Sequence, residues 1–97
     1  MSDIAQIKNA VEKIKPVLRE KYAIDTLYLF GSYARGEQTD RSDIDLLVDF
    51  KTTPDLLTFI EIEEYLESRL HEDIDLIPRR KLHPQLRDQI LREAIAL

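Results

Sequence analysis

The sequence predicts a single α/β domain, a small mixed β-sheet with helices packed against it. Two apolar runs rich in Leu, Phe, Tyr and Val, at 27–30 and 46–48, are typical of buried strands. Longer segments that repeat apolar residues at helical spacing alternate with these strands along the chain. Ninety-seven residues are enough for one hydrophobic core but too few for a second catalytic lobe. We therefore expect residues 1–97 to form one domain.

The first predicted element is an amphipathic helix over residues 3–22. Its apolar residues recur every three or four positions. They are Ile4, Ile7, Val11, Ile14 and Leu18. Ser2 is the expected N-terminal cap, and Pro16, which has no backbone N–H, predicts a kink or break near residue 15. The first strand is expected over about 25–30.

The middle of the chain predicts a turn, a strand and a second long helix. A turn with a short helical piece is expected over 31–42, and the second strand over about 43–50. Thr53-Pro54-Asp55 is typical of a helix start, with Thr53 as cap and Pro54 at the first helical position, and the helix should extend to about residue 70. Its predicted apolar face consists of Leu56, Phe59, Ile60, Leu66 and Leu70. The glutamates between them predict a solvated face.

Two further elements complete the prediction. The alternating run at 73–77, followed by Pro78, predicts a third strand. His83-Pro84 predicts the start of a last helix. Its inward-facing residues are expected to be Leu86, Ile90, Ala94 and Leu97. The predicted order is α-β-α-β-α-β-α, with a sheet of three or four strands.

Composition excludes several classes of function. The formal net charge is −5 and no basic stretch is interleaved with aromatic residues, so we expect no direct nucleic-acid partner. No apolar run is long enough to span a bilayer, and the N-terminus lacks the features of a secretory signal. These observations predict a cytoplasmic protein without membrane association. Because the chain has no cysteine, any bound metal should be a hard cation held by oxygen.

The residues with the most evident chemistry lie between 27 and 50. Gly31-Ser32 follows the first strand, where glycine permits close backbone approach and serine offers a hydroxyl and an N–H to a phosphate. Asp43 and Asp45 follow after ten intervening residues and share one face of an extended chain. Two such carboxylates can hold a divalent metal ion. A metal ion beside a phosphate indicates nucleotide chemistry.

Each of these features has a simpler interpretation when it is taken alone. Asp43 and Asp45 could be the solvated start of a strand, and Gly31-Ser32 could be a plain turn or a helix cap. An EF-hand is excluded because the Gly at loop position six and the Glu at position twelve are missing. The combination of both motifs at a defined spacing favours the functional interpretation.

The segment Phe30-Gly31-Ser32, ten residues, Asp43-Ile44-Asp45-Leu46 resembles the signature of the nucleotidyltransferases related to DNA polymerase β. The flanking Tyr33-Ala34-Arg35-Gly36 and Ser42 are similar to the minimal nucleotidyltransferase (MNT) branch, whose members resemble antitoxins encoded beside HEPN-domain ribonucleases. Whether Tyr33 packs or stacks is left open by the sequence. The resemblance implies the polymerase β-like core fold and transfer of AMP from ATP to an acceptor hydroxyl. For such an antitoxin the acceptor is a tyrosine of the HEPN toxin.

The resemblance also implies roles for the residues of the motif. Asp43 and Asp45 would be ligands of two Mg²⁺ ions. Gly31, Ser32 and Arg35 would bind the phosphates of ATP, although Arg35 could equally pair with the nearby surface acids at 37 and 40. A basic run at 79–81 receives no specific role.

A third carboxylate is implied on the third strand, as metal ligand and base. We favour Asp75 over Asp73, because Ile74-Asp75-Leu76-Ile77 is similar to the apolar-Asp-apolar motif of the family. An edge strand whose acids discourage aggregation is the alternative. Two other functions also stay open: an antitoxin that acts by contact alone, and nucleotidylation of a small molecule, which is typical of relatives with an additional helical domain.

Overall fold

The chain folds as a four-stranded sheet with helices on both faces. The computed structural model describes residues 3–97. Its elements are α1 (Ile4–Glu20), β1 (Ile24–Phe30), α2 (Gly31–Arg35), β2 (Ile44–Phe50), α3 (Leu56–Leu70), β3 (Ile74–Pro78), a 3₁₀ turn (Arg79–Lys81), α4 (Pro84–Glu93) and β4 (Ile95–Ala96). Within this described part, every helix is too short or too polar to cross a membrane.

The sheet has the strand order β3-β2-β1-β4. Strand β1 pairs antiparallel with β2 and β4, whereas β2 pairs parallel with β3 through the α3 crossover. The prediction of a mixed sheet in an α/β fold is confirmed. Strand β4 was not predicted, because two residues are too few to show an alternating pattern. It is extended by a hydrogen bond from the Leu97 N–H to the Leu27 carbonyl at 2.9 Å.

Two apolar clusters occupy opposite faces of the sheet. Helices α1 and α3 cover the larger cluster, and α4 covers the smaller one, which contains Phe30, Leu47 and Leu82. Successive residues of a strand point to opposite faces, so Leu46 belongs to the larger cluster and Leu47 to the smaller. By the same alternation, Asp45 projects on the face that α4 covers.

The prediction for α1 is right in its buried face, and of the kink or break predicted near residue 15 the break is absent. The helix continues unbroken from Ile4 to Glu20. Pro16 is exposed, so water can hydrate the carbonyl that loses its helical partner. Ser2, the predicted cap, lies outside the described residues. The cap is Asp3, whose carboxylate accepts from the Gln6 N–H at 2.8 Å while the Gln6 side chain accepts from the Asp3 N–H at 2.9 Å.

Helix α3 begins later than predicted, and its predicted apolar face is confirmed at Leu66 and Leu70 but wrong at Leu56 and Ile60. Its cap is Asp55 rather than Thr53, and the Asp55 carboxylate accepts from the Thr58 N–H at 2.7 Å. The buried residues are Ile62, Leu66 and Leu70, whereas Leu56 and Ile60, which were predicted to face inward, are exposed. Residues that are two positions apart in an α-helix differ by about 200° in direction around its axis. Since Ile62 faces the core, Ile60 must point away from it.

Helix α4 begins where it was predicted to begin, but its first turn is exposed rather than packed on the sheet. The Nδ1 of His83 accepts from the Gln85 N–H at 3.2 Å and caps the helix. Ile90 and Ala94 pack against the smaller cluster. Leu86, predicted to face inward, is exposed because residues 84–89 are all exposed and only the C-terminal half of α4 rests on the sheet.

Candidate active site

Strand register brings the predicted carboxylates together at one end of β2. Asp45 on β2 is the direct partner of Asp75 on β3. Asp43 precedes β2 by one residue, and the N–H of Ile44 donates to the Asp73 carbonyl at 2.8 Å, which fixes the starts of both strands. Residues that are directly paired in adjacent strands project to the same face. The side chains of Asp45 and Asp75 are therefore neighbours.

The carboxylate of Asp45 rests against Gly31. The φ angle of Gly31 is +74°, in the left-handed region that favours glycine. A Cβ added to Gly31 would overlap the Oδ2 atom of Asp45 and lie 3.0 Å from its Cγ. Position 31 therefore requires glycine for two reasons: the backbone conformation, and the lack of space for a side chain. The turn into α2 passes directly over the carboxylate.

The carboxylates form a cluster of like charges. Burial raises the pKa of Asp45, the negative charges of Asp75 and Asp43 raise it further, and the Arg35 guanidinium lowers it. Asp75 has a larger effect than Asp43, as its direct cross-strand position predicts. Asp73 is not among the charges that act on Asp45. The structure therefore brings Asp43, Asp45 and Asp75 together.

The donor atoms of this cluster suit a hard divalent cation bound together with a nucleotide. Among residues 3–97, no three carboxylate or imidazole side chains are arranged so that they could hold a metal ion. Mg²⁺ usually takes one or two protein carboxylates and completes its coordination with water and substrate phosphates. The pKa of half-buried Asp45 is raised by burial and by two neighbouring acids, so a bound cation would stabilise its ionised form. The residues fit a shared site rather than a closed cage.

Arg35, the predicted phosphate contact, is paired with surface acids. Its Nε lies 3.1 Å from the Glu37 carboxylate and its Nη1 lies 3.4 Å from the Glu93 carboxylate. The predicted pairing with Glu37 is found, and Glu93 takes the place expected for Asp40. The Arg35 side chain is exposed, and exposed ion pairs are weak. Because Arg35 also lowers the pKa of Asp45, its charge lies within range of the carboxylates.

With this geometry in place, the chain can be compared with known proteins. The family model described as polymerase beta, nucleotidyltransferase matches residues 12–97. The chain belongs to this nucleotidyltransferase family. A protein adenylyltransferase of Thermococcus cleftensis, MntA, is 40% identical to it over 95 residues, which are 98% of this chain and 96% of that protein.

Solved structures place the chain with the minimal nucleotidyltransferases. One structure described as a minimal nucleotidyltransferase has a TM-score of 0.83 and 36% identity, covering 99% of this chain and 97% of that one. A toxin–antitoxin complex with AMP-PNP has a TM-score of 0.72 and 34% identity, and the match covers 88% of this chain and 69% of that one. The structure of a tri-AMPylated Shewanella oneidensis HEPN toxin in complex with MNT antitoxin has a TM-score of 0.67 and 28% identity. The match covers 93% of this chain and 70% of that one. The predicted family and fold are confirmed.

In this nucleotidyltransferase, the segment between α2 and β2 positions Asp43. The Oγ of Ser42 accepts from the Thr39 N–H at 2.8 Å, and the Ser42 N–H donates to the Thr39 carbonyl at 3.1 Å. These bonds close a turn immediately before Asp43. Tyr33 packs rather than stacks, since its side chain is 1% exposed in the larger cluster. Ser32 lies half-buried between Gly31 and Tyr33.

Two acidic residues near the site were missed by the sequence analysis. Glu93 binds Arg35 from 58 positions away, and no sequence pattern connects them. Glu63 on α3, predicted to be part of a solvated face, is half-buried. Burial raises the pKa of Glu63, and the charges of Glu67 and Asp75 raise it further. Glu63 thus lies within electrostatic range of Asp75, a position that depends on how α3 packs.

Under the predicted role of Asp45 as a metal ligand, replacing Gly31 by Ala should weaken ATP binding in the presence of Mg²⁺ by about 10–100-fold, the usual effect of losing a group that supports such a ligand. Gly36→Ala is the matched control. Gly36 has a φ of +71°, so both variants incur backbone strain of about 1–2 kcal/mol, but an added Cβ at Gly36 meets no atom within 4 Å. Calorimetric titration with ATP and Mg²⁺ measures both affinities. Equal losses in the two variants would contradict the role of the Gly31–Asp45 contact.

Replacing Asp45 by Asn should stabilise the cation-free protein at neutral pH. The folded pKa of Asp45 lies above the ordinary 3.8, so the folded state binds the proton more tightly than the unfolded state. Wild-type stability therefore falls as the pH rises from 3.8 through the folded pKa, and the variant escapes this loss. Its advantage should be full at neutral pH and vanish below 3.8.

Thermal unfolding over this pH range measures the effect, with Asp73→Asn as the control that should gain less. The account of Asp45 is wrong if Asp45→Asn is less stable than wild type at neutral pH. It is equally wrong if the advantage does not change with pH.

Proposed function

We propose that the chain transfers AMP from ATP to a tyrosine hydroxyl of a HEPN-type toxin, with Mg²⁺. The observation that carries this proposal is the cluster of Asp43, Asp45 and Asp75 beside the Gly31 turn. A half-buried carboxyl group whose pKa is raised by burial and by neighbouring acids, as that of Asp45 is, is typical of catalytic sites. Support for the nucleotide and the partner comes from the adenylyltransferase relative, the AMP-PNP complex and the AMPylated toxin complex.

The Gly31-Ser32 turn would bind the β- and γ-phosphates of ATP. The Ser32 hydroxyl and the backbone N–H groups at the start of α2 can donate hydrogen bonds to phosphate oxygens. Arg35 can join them by leaving Glu37 and Glu93, because exposed ion pairs are weak and a bond to a triphosphate is assisted by its charge. These contacts would orient the α-phosphorus for in-line attack.

Asp43 and Asp45 would hold two Mg²⁺ ions, and Asp75 would be a shared ligand. When bound, the ions neutralise charge on the triphosphate and lower the pKa of the acceptor hydroxyl. The three carboxylates repel a triphosphate when the cation is absent. ATP binding should therefore require Mg²⁺ or Mn²⁺.

In the transfer step, the acceptor oxygen forms a bond to the α-phosphorus while the bond between the α-phosphorus and the bridging oxygen breaks. Pyrophosphate leaves, and the hydroxyl proton passes to Asp75. A tyrosine hydroxyl has an unperturbed pKa of about 10, so a nearby base is needed at neutral pH. Asp75 is exposed and can be reached by an acceptor on another protein.

A protein acceptor suits this chain better than a nucleic acid does. The carboxylate cluster is open, and the net charge of −5 disfavours a polynucleotide. An AMP group on the toxin is a bulky anion, and it would block an RNA-binding site that depends on positive charge. Such a partner would also place this chain in the cytoplasm.

Asp75→Asn should lower the rate of transfer by about 100–10,000-fold, the contribution of a general base, with a modest loss of ATP affinity. Asp73→Asn is the matched control, since Asp73 lies two residues earlier on the same side of the chain. Its replacement should have only a mild effect on the rate. Single-turnover kinetics with radiolabelled ATP measure the rates, and calorimetry measures the affinities. A larger loss in Asp73→Asn would show that the assignment of the third carboxylate is wrong.

The transfer itself is tested by incubating the chain with ATP, Mg²⁺ and the product of the neighbouring gene. Intact-mass and peptide spectra should show an added AMP on a tyrosine of that partner. The adduct should disappear with Asp43→Asn and with excess EDTA. If the Asp43→Asn variant neutralises the toxin fully and no sample carries an adduct, the antitoxin acts by contact alone and the proposed transfer is wrong.

A further inference from the structure

The first turn of α3 carries large apolar side chains that the fold leaves exposed. Leu56 is 73% exposed, Leu57 is 79% exposed and Ile60 is 42% exposed. Burying a leucine side chain contributes about 1.5–3 kcal/mol relative to leaving it in water. Single exposed apolar residues are ordinary, but three within five positions form a contiguous patch of the kind that marks an interaction site.

A groove of about 400 Å³ opens beside this turn. It runs between the N-terminal end of α3 and the edge strand β3, and Leu56 forms part of its wall. Its floor is apolar, with Phe59, Leu76 and Pro78. Phe50 completes the floor and packs edge-on against Phe59, with ring centroids 6.3 Å apart. We call this groove, together with the exposed leucines, the α3 groove.

Two cations of the 3₁₀ turn, Arg80 and Lys81, also line the α3 groove. The third cation of that turn, Arg79, is already paired with Asp49 at 3.2 Å. Within residues 3–97, no carboxylate forms an ion pair with Arg80 or Lys81, and Arg80 donates only to the Thr53 hydroxyl, at 3.4 Å. In a chain with a net charge of −5, this is a local positive field that selects an acidic partner.

The edge of β3 itself is poorly suited to adding a strand from a partner. Pro78 has no N–H to donate, and the Glu63 carboxylate faces the backbone N–H of Leu76. Asp55, which also lines the groove, is bound to the Thr58 N–H as the helix cap. The groove therefore favours side-chain contacts with the apolar face of a helix over backbone pairing.

We propose that the α3 groove binds an amphipathic helix of the acceptor protein, with its apolar face flanked by Asp and Glu. The apolar face would cover Leu57 and the aromatic floor, and the acids would meet Arg80 and Lys81. The groove lies on the face of the sheet that α3 covers and at the C-terminal end of β3, whereas Asp45 and Asp75 project on the opposite face. A helix docked here therefore leaves the carboxylate cluster open to the acceptor hydroxyl. This inference rests on the proposed function, because it names the acceptor as the partner.

The test measures binding of the product of the neighbouring gene by calorimetry, without ATP. Leu57→Asn should weaken binding by about tenfold, the usual effect of losing an interface anchor. Leu86→Asn is the matched control, since Leu86 is an exposed leucine on α4, outside the groove. The double variant Arg80→Glu and Lys81→Glu should weaken binding and reduce its dependence on salt, whereas Arg87→Glu on α4 should not.

The outcomes separate this inference from the proposed chemistry. The groove is supported if binding weakens in the groove variants and not in the controls. Transfer at a saturating concentration of the partner should then be normal, with KM for the partner raised and kcat unchanged. If the groove variants weaken binding while wild type transfers no AMP, the groove is supported and the proposed transfer fails. Equal binding by all variants, or no binding by wild type, overturns the groove. So does a dimer of this chain that becomes monomeric with Leu57→Asn, because the groove would then belong to a second copy.

Discussion

The contact between the Asp45 carboxylate and Gly31 determines the geometry of the whole site. Antiparallel pairing of β1 with β2 sets Phe30 opposite Asp45, so the chain leaving β1 must cross directly over that carboxylate. It can do so only because Gly31 has no side chain and adopts a φ of +74°. Helix α2 therefore starts beside the acids, and Ser32 and Arg35 are carried to the same end of the sheet.

The two faces of the sheet contribute differently to this arrangement. The larger cluster, under α1 and α3, buries the even-numbered residues of β2 and holds the register that pairs Asp45 with Asp75. On the other face, only the C-terminal half of α4 is packed, and the carboxylate end stays open. Asp45 is held among like charges at a cost in stability that the larger cluster must offset, a compromise typical of functional sites.

The site was more predictable from sequence than the ends and faces of the helices. The resemblance to the nucleotidyltransferase signature joined Gly31-Ser32 to Asp43 and Asp45, and strand register places Asp75 beside Asp45. The cap of α3 could not be chosen, since Thr53 and Asp55 are both good capping residues and only packing decides between them. The exposure of Leu86 and the approach of Glu93 to Arg35 depend on where α4 rests on the sheet, which helical periodicity does not encode.

The most direct test of this account is a carbon-13 NMR titration of the Asp45 carboxyl group without divalent cations. Wild type should titrate above the ordinary 3.8 of an aspartate, since burial and the charges of Asp75 and Asp43 raise its pKa. The pKa of Asp45 should fall in Asp75→Asn and stay unchanged in Asp73→Asn. An ordinary pKa in wild type, or one that Asp75→Asn does not lower, would contradict the claim that register builds a cluster of like charges at this site.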